Sequence, residues 1–188
     1  MATDPKAMVF VDGSNLLIEM FARLGKEGLR ADRPSANAVQ LANQILIEQA
    51  MSVMGRHQIV RSYWFGSVQG SEEFLHEVKQ NLRAADFEAV LFHKTKGRDE
   101  KGVDLAIARE MLIHAFNKNY ETAILVAGDE DYVGLVQDLK RLGVRVGGLF
   151  FEDKSLSPKL KISFDRFRPL EIPTARQAAL VQAVKDES

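Results

Sequence analysis

The chain has 188 residues, 46% of them hydrophobic and 27% charged, which fits one globular domain with a full core. A formal net charge of -1 excludes a global basic field for nucleic acid, although a local basic face stays compatible with it. With no cysteine, disulfides, thiolate metal sites and cysteine nucleophiles are excluded, which suits a reducing compartment. The first residues, MATDPKAMVFVDG, hold no long apolar stretch before a cleavage-like site. No apolar run approaches the ~18 residues that a membrane span needs. The expectation is a soluble cytoplasmic protein.

In chain order, AMVFV (7–11) reads as a buried strand. Residues 35–54 carry apolar side chains at helical spacing (Val39, Leu41, Ala42, Ile45, Leu46, Met54), with Ser35 as N-cap after Pro34. IVRSYWF (59–65) is a second strand, and residues 71–84 place Phe74, Leu75, Val78 and Leu82 on one helical face. EAVLF (88–92) is a third strand, followed by the basic loop HKTKGRDEKG and a helix over 102–116 with Val103, Ile107, Met111 and Leu112 inward. AILVA (123–127) leads into a helix over 131–142 that ends at Gly143, a residue suited to the position after a helix. VRVGGLF (144–150) is a fifth strand. Pro169 and Pro173 mark a joint, so residues 1–170 read as one domain and 171–188 as a tail, helical from Thr174. Strands alternating with helices predict an α/β fold with a central, mainly parallel sheet and helices on both faces.

In such sheets ligands sit beyond the carboxyl ends of the strands. Asp12, Gly13, Ser14 and Asn15 follow the first strand, and Asp129, Glu130 and Asp131 follow ILVAG. The loop after EAVLF leads to Asp104 at the start of a helix. Two carboxylates ~4 Å apart repel by roughly 4 kcal/mol at an effective dielectric of about 20, so a cluster is partly protonated or needs a cation. Asp12, Asp104, Asp129 and Asp131 offer only oxygen, and Asn15 adds a carbonyl oxygen. That donor set suits Mg²⁺ or Mn²⁺, which accept a few carboxylates and keep water and phosphate ligands. Each acid also has a structural reading. Asp12 before Gly13 suits a turn or a cap, Asp129 suits a cap with Glu130 and Asp131 in the first turn, and Asp104 suits a first-turn acid. Glu110 reads as a surface helix residue or as an acid behind the site.

The segments VFVDGSNL (9–16), KGVDLAIAREML (101–112), ILVAGDEDYVGLVQDLKRLGVRV (124–146) and, more weakly, SPKLKISFDRF (157–167) resemble the NYN domains, PIN-like metal-dependent ribonucleases, in their bacterial stand-alone form. The resemblance runs from about residue 7 to 170 and implies a PIN-like three-layer α/β/α sandwich. It implies a divalent-metal site of Asp12, Asp104, Asp129 and Asp131, with Asn15 as the polar residue after the first strand. Glu110 stands where the family often has Asp, Glu130 where a small residue is common, and Tyr132 where Phe is usual.

On the substrate side, His93, Lys94, Lys96, Arg98 and Lys101 form a basic run just before Asp104, suited either to phosphates or to a solvated loop. Tyr63, Trp64 and Phe65 read as core or as stacking platforms for bases. His57, His76 and His114 have no metal-ligand spacing. Three classes of function stay open. One is an Mg²⁺- or Mn²⁺-dependent ribonuclease using metal-activated water. The second is an RNA- or protein-binding regulatory module that keeps the acidic pocket with little cleavage. The third is another phosphoryl enzyme, which Ser14 counts against where an aspartyl phosphatase wants a second Asp, and no P-loop motif is present. RNA is the expected partner, and a second copy of the chain or another protein stays open.

Overall fold

The structure is a computed structural model that describes residues 4–23, 36–94 and 102–173, with the backbone alone for 36–41. Six strands form one sheet: β1 (Lys6–Asp12), β2 (Gln58–Val68), β3 (Phe87–His93), β4 (Thr122–Val126), β5 (Arg145–Phe150) and β6 (Arg166–Pro169). Their order is β3-β2-β1-β4-β5-β6, and every neighbouring pair is parallel. Among the described residues, six α-helices connect them: α1 (Gly13–Arg23), α2 (Ala36–Val53), α3 (Glu72–Ala84), α4 (Val103–Phe116), α5 (Val133–Arg141) and α6 (Pro158–Ser163).

Alternation along the strands divides the core in two. Val9 and Val11 of β1, Trp64 of β2, and Ile124 and Val126 of β4 pack with residues of α1, α2 and α3. Met8 and Phe10, Tyr63 and Phe65, and Ala123 and Leu125 point the other way, into the core shared with α4, α5 and α6. Successive side chains on a strand face opposite sides, so strands apolar at every position must be covered on both faces. The result is a three-layer α/β/α sandwich of the PIN-like kind. Trp64 (1% exposed) and Phe65 (0%) are core residues, which leaves neither as an open stacking surface.

The five expected strands and four expected helices are present, with ends moved by a few residues. Three elements go beyond that reading. Helix α1 starts at Gly13, directly after β1 and with no intervening loop. Its buried residues Leu16, Leu17, Met20 and Phe21 recur at helical spacing. Helix α6 is a short helix of 6 residues capped by Ser157, whose side chain accepts from Leu160 N. Strand β6 has only four residues, RFRP, at the sheet edge. The tail from residue 174 lies outside the described residues.

The chain winds outward in both directions from the middle of the sheet. From β1 it proceeds to β2 and β3 on one side, and from β4 to β5 and β6 on the other. The direction reverses between β1 and β4, which pair through Val11 and Val126. At such a switch point the connections diverge and leave a crevice beyond the strand ends.

Candidate functional site

Asp12 is the last residue of β1 and only 5% exposed. Its two carboxylate oxygens have separate partners. Oδ1 accepts the backbone N–H of Asn15 (3.0 Å), and Oδ2 accepts the hydroxyl of Tyr132 (2.9 Å). The approach of α1 depends on Gly13, because a Cβ there would stand 2.1 Å from Nε1 of Trp64.

Asp104 lies in the first turn of α4, where the helix dipole favours an anion. Its Oδ1 accepts the same Tyr132 hydroxyl, again at 2.9 Å. Tyr132 is 2% exposed and closes the short 3₁₀ turn Glu130–Tyr132 that follows β4. Burial, then the charges of Asp12 and Asp104, push its phenol far above the ordinary tyrosine range, so it stays a donor. Residues from β1, α4 and the turn after β4 therefore meet at one hydroxyl.

Asn15 joins the two central strands. Its Oδ1 accepts the backbone N–H of Gly128 (3.0 Å), just beyond β4. The loop after β5 comes over the same point, where Ser157 N donates to Gly128 O (2.9 Å). A Cβ on Gly128 would stand 2.3 Å from Ser155 O, so the close approach requires glycine. Arg23, at the end of α1, pairs with Asp153 of that loop.

Asp129 caps the turn it precedes, with Oδ1 accepting from Asp131 N (3.1 Å). Asp129, Glu130 and Asp131 are exposed. Glu130 is engaged away from the other acids, by Lys159 Nζ of α6 (2.6 Å) and by the Ser157 hydroxyl (3.3 Å). The Lys159 ammonium holds its carboxyl below the ordinary value.

Among the described residues, no group of three or more acids or histidines is gathered closely enough to hold a metal ion. The pair that the fold brings together is Asp12 and Asp104, with Asp129 and Asp131 at the next strand end. The pair fits a hard divalent cation, since both groups offer carboxylate oxygen and Mg²⁺ is commonly held by one or two carboxylates with water and phosphate completing the shell. Glu110 faces His114 at 3.8 Å, and His114 bonds Tyr63 Oη through Nε2 (2.8 Å). It lies six residues, about 9 Å of helix rise, from Asp104. Lys94 is described and half-buried. Lys96, Arg98 and Lys101 lie outside the described residues.

The sequence marks Tyr132 only as a polar stand-in for a more usual Phe. The signal available was its hydroxyl, at an aromatic position between two acids and a helix. Lys159 carries no comparable signal, since its pairing with Glu130 arises from the packing of α6 on the turn.

A doubly wound parallel sheet with acids at its switch point defines a class of α/β domains whose sites lie beyond the strand ends. The family model of the NYN domain matches residues 6–171, and the chain belongs to that family, a nuclease-like relative of the PIN domains. No curated protein matches the chain. A crystal structure of a protein of unknown function from Vibrio parahaemolyticus is similar in fold. Its TM-score is 0.64 at 18% identity, and the match covers 91% of this chain and 97% of that one. Among the described residues, no helix is long and apolar enough to cross a membrane.

Proposed function

We propose that the chain is a divalent-metal-dependent ribonuclease that hydrolyses RNA phosphodiester bonds. The observation that carries this reading is the pair of carboxylates, Asp12 and Asp104, held together at the switch point of a nuclease-like fold. Asp12 and Asp104 are the residues to hold Mg²⁺ or Mn²⁺. When bound there, the ion supplies an acidified water and neutralises charge on the phosphate.

The chain's own residues do the rest. Asn15 N and Tyr132 Oη fix the Asp12 carboxylate, so it does not turn away on solvation. In this reading Asp129 and Asp131, exposed after β4, hold water or accept a proton from it. Lys94, with Lys96, Arg98 and Lys101, belongs to the segment just before α4 and supplies positive charge for the RNA backbone. No serine or cysteine is assigned as nucleophile.

The test compares purified wild type with Asp12→Asn and Asp104→Asn on single-stranded and structured RNAs in Mn²⁺, reading cleavage and RNA binding separately. The expected result is cleavage by wild type, with both variants folded, RNA-binding and inactive. Cleavage retained in both variants contradicts the site. RNA binding by wild type with no cleavage across Mg²⁺ and Mn²⁺ titrations supports the regulatory-module reading in its place.

A further inference from the structure

The Tyr132 hydroxyl contacts both Asp12 and Asp104. A hydroxyl carries one hydrogen and can accept through its oxygen. Asp12 Oδ2 and Asp104 Oδ1 both stand 2.9 Å from it, so one hydrogen is shared between two carboxylates. Tyr132 therefore ties the two acids to one point.

The ring is as constrained as the hydroxyl. It is 2% exposed and packs in the core beneath α4 and α5 with Phe10, Phe65, Ile107 and Val136. Asp12 is fixed from its other side by Asn15 N, and Asp104 is fixed by its place in the first turn of α4. The hydroxyl spans the remaining gap between β1 and α4.

We infer that Tyr132 is a positioning residue whose hydroxyl sets the spacing and orientation of Asp12 and Asp104 for a divalent cation. The inference rests on the proposed metal-dependent reading. Hydrogen-bond partners behind metal ligands commonly contribute about 10–100-fold to metal affinity. Tyr132→Phe keeps the ring volume and removes only the hydroxyl, so it isolates this contribution.

The experiment is calorimetric titration of Mn²⁺ into wild type, Tyr132→Phe and Asp12→Asn, with the Mn²⁺ dependence of RNA cleavage measured alongside. Tyr132→Phe is expected to bind Mn²⁺ about tenfold more weakly. Its half-saturating Mn²⁺ for cleavage should rise in proportion, with the rate at saturating Mn²⁺ nearly unchanged. A purely structural role would lower the saturated rate or the folded fraction without that split. Equal Mn²⁺ affinity in wild type and Tyr132→Phe overturns the inference while leaving the nuclease reading intact. Absence of Mn²⁺ binding in wild type, or full binding in Asp12→Asn, overturns the metal reading and the inference with it.

A second measurement covers the case in which Tyr132→Phe does not fold. The chain has three tyrosines, so 3-fluorotyrosine incorporation gives three ¹⁹F resonances. Mg²⁺ is expected to move the Tyr132 resonance and leave those of Tyr63 and Tyr120 in place. A Tyr132 resonance unmoved at Mg²⁺ concentrations that saturate binding overturns the inference.

Discussion

The side-chain carbonyl of Asn15 accepts the backbone N–H of Gly128 at 3.0 Å, joining the first turn of α1, just past β1, to the segment just past β4. Gly128 is buried, so its N–H has no ready substitute in solvent. Asn15 thus aligns the two strand ends that carry Asp12 and Asp129. Asn15→Ala should cost about 1–3 kcal/mol, the range for a buried donor left unsatisfied. Asn15→Asp keeps an acceptor and should recover much of that loss. Urea unfolding of both variants checks the ordering, and equal stability of Asn15→Ala and wild type contradicts it.

Gly13 tests the strand-to-helix joint. A Cβ would meet the Trp64 indole at 2.1 Å, and Trp64 is 1% exposed with no room to retreat. Gly13→Ala should therefore destabilise by about 1–3 kcal/mol through overpacking. Thermal melting should show the loss. An unchanged melting temperature would mean that the indole moves freely.

Asp129 has both a cap and a charge, and the two can be separated. Asp129→Ser keeps an N-cap oxygen for Asp131 N and removes the carboxylate. Its stability should stay within about 0.5 kcal/mol of wild type while RNA cleavage falls. Asp129→Ala should lose both. Unchanged cleavage in Asp129→Ser would confine Asp129 to its structural role.

Glu130 should titrate below 4.5 because the Lys159 ammonium favours its charged form. A carboxyl depressed in the folded state stabilises the fold above its unfolded value, and that contribution is lost as pH falls through the folded value. The effect is therefore confined to acid below 4.5 and is screened by salt, since both side chains are exposed. Carboxyl ¹³C NMR titration of wild type and Lys159→Ala should show Glu130 returning toward 4.5 in the variant. The same titration midpoint in both would remove Lys159 as the cause.

The strands were legible because their apolar runs reflect burial on both faces, as in AILVA and VRVGGLF. Helices α2 to α5 were legible from apolar spacing. Helix α1 was not, because Asp12 before Gly13 suits a turn as well as a helix cap, whereas Gly13 serves close packing against Trp64. Strand β6 was not, because RFRP has neither length nor an apolar run and depends on β5 for its hydrogen bonds. At the site, sequence position led to the expectation that Asp12, Asp104, Asp129 and Asp131 converge, and the structure joins Asp12 and Asp104 at the Tyr132 hydroxyl. Asp129 and Asp131 stand apart from it at the adjoining strand end. The role of Tyr132 could not be read, since it depends on β1 and α4 meeting around one side chain from residues 120 and 28 positions away.

The most direct test of the central claim is RNA hydrolysis in ¹⁸O-labelled water, with Mn²⁺ or with chelator, followed by mass spectrometry of the product ends. Attack by water predicts Mn²⁺-dependent cleavage, one ¹⁸O in each newly formed terminal phosphate and no cyclic phosphate. Cleavage that persists in chelator and leaves unlabelled 2′,3′-cyclic phosphate ends would mean attack by the ribose hydroxyl, and would contradict a mechanism built on Asp12, Asp104 and a metal-activated water.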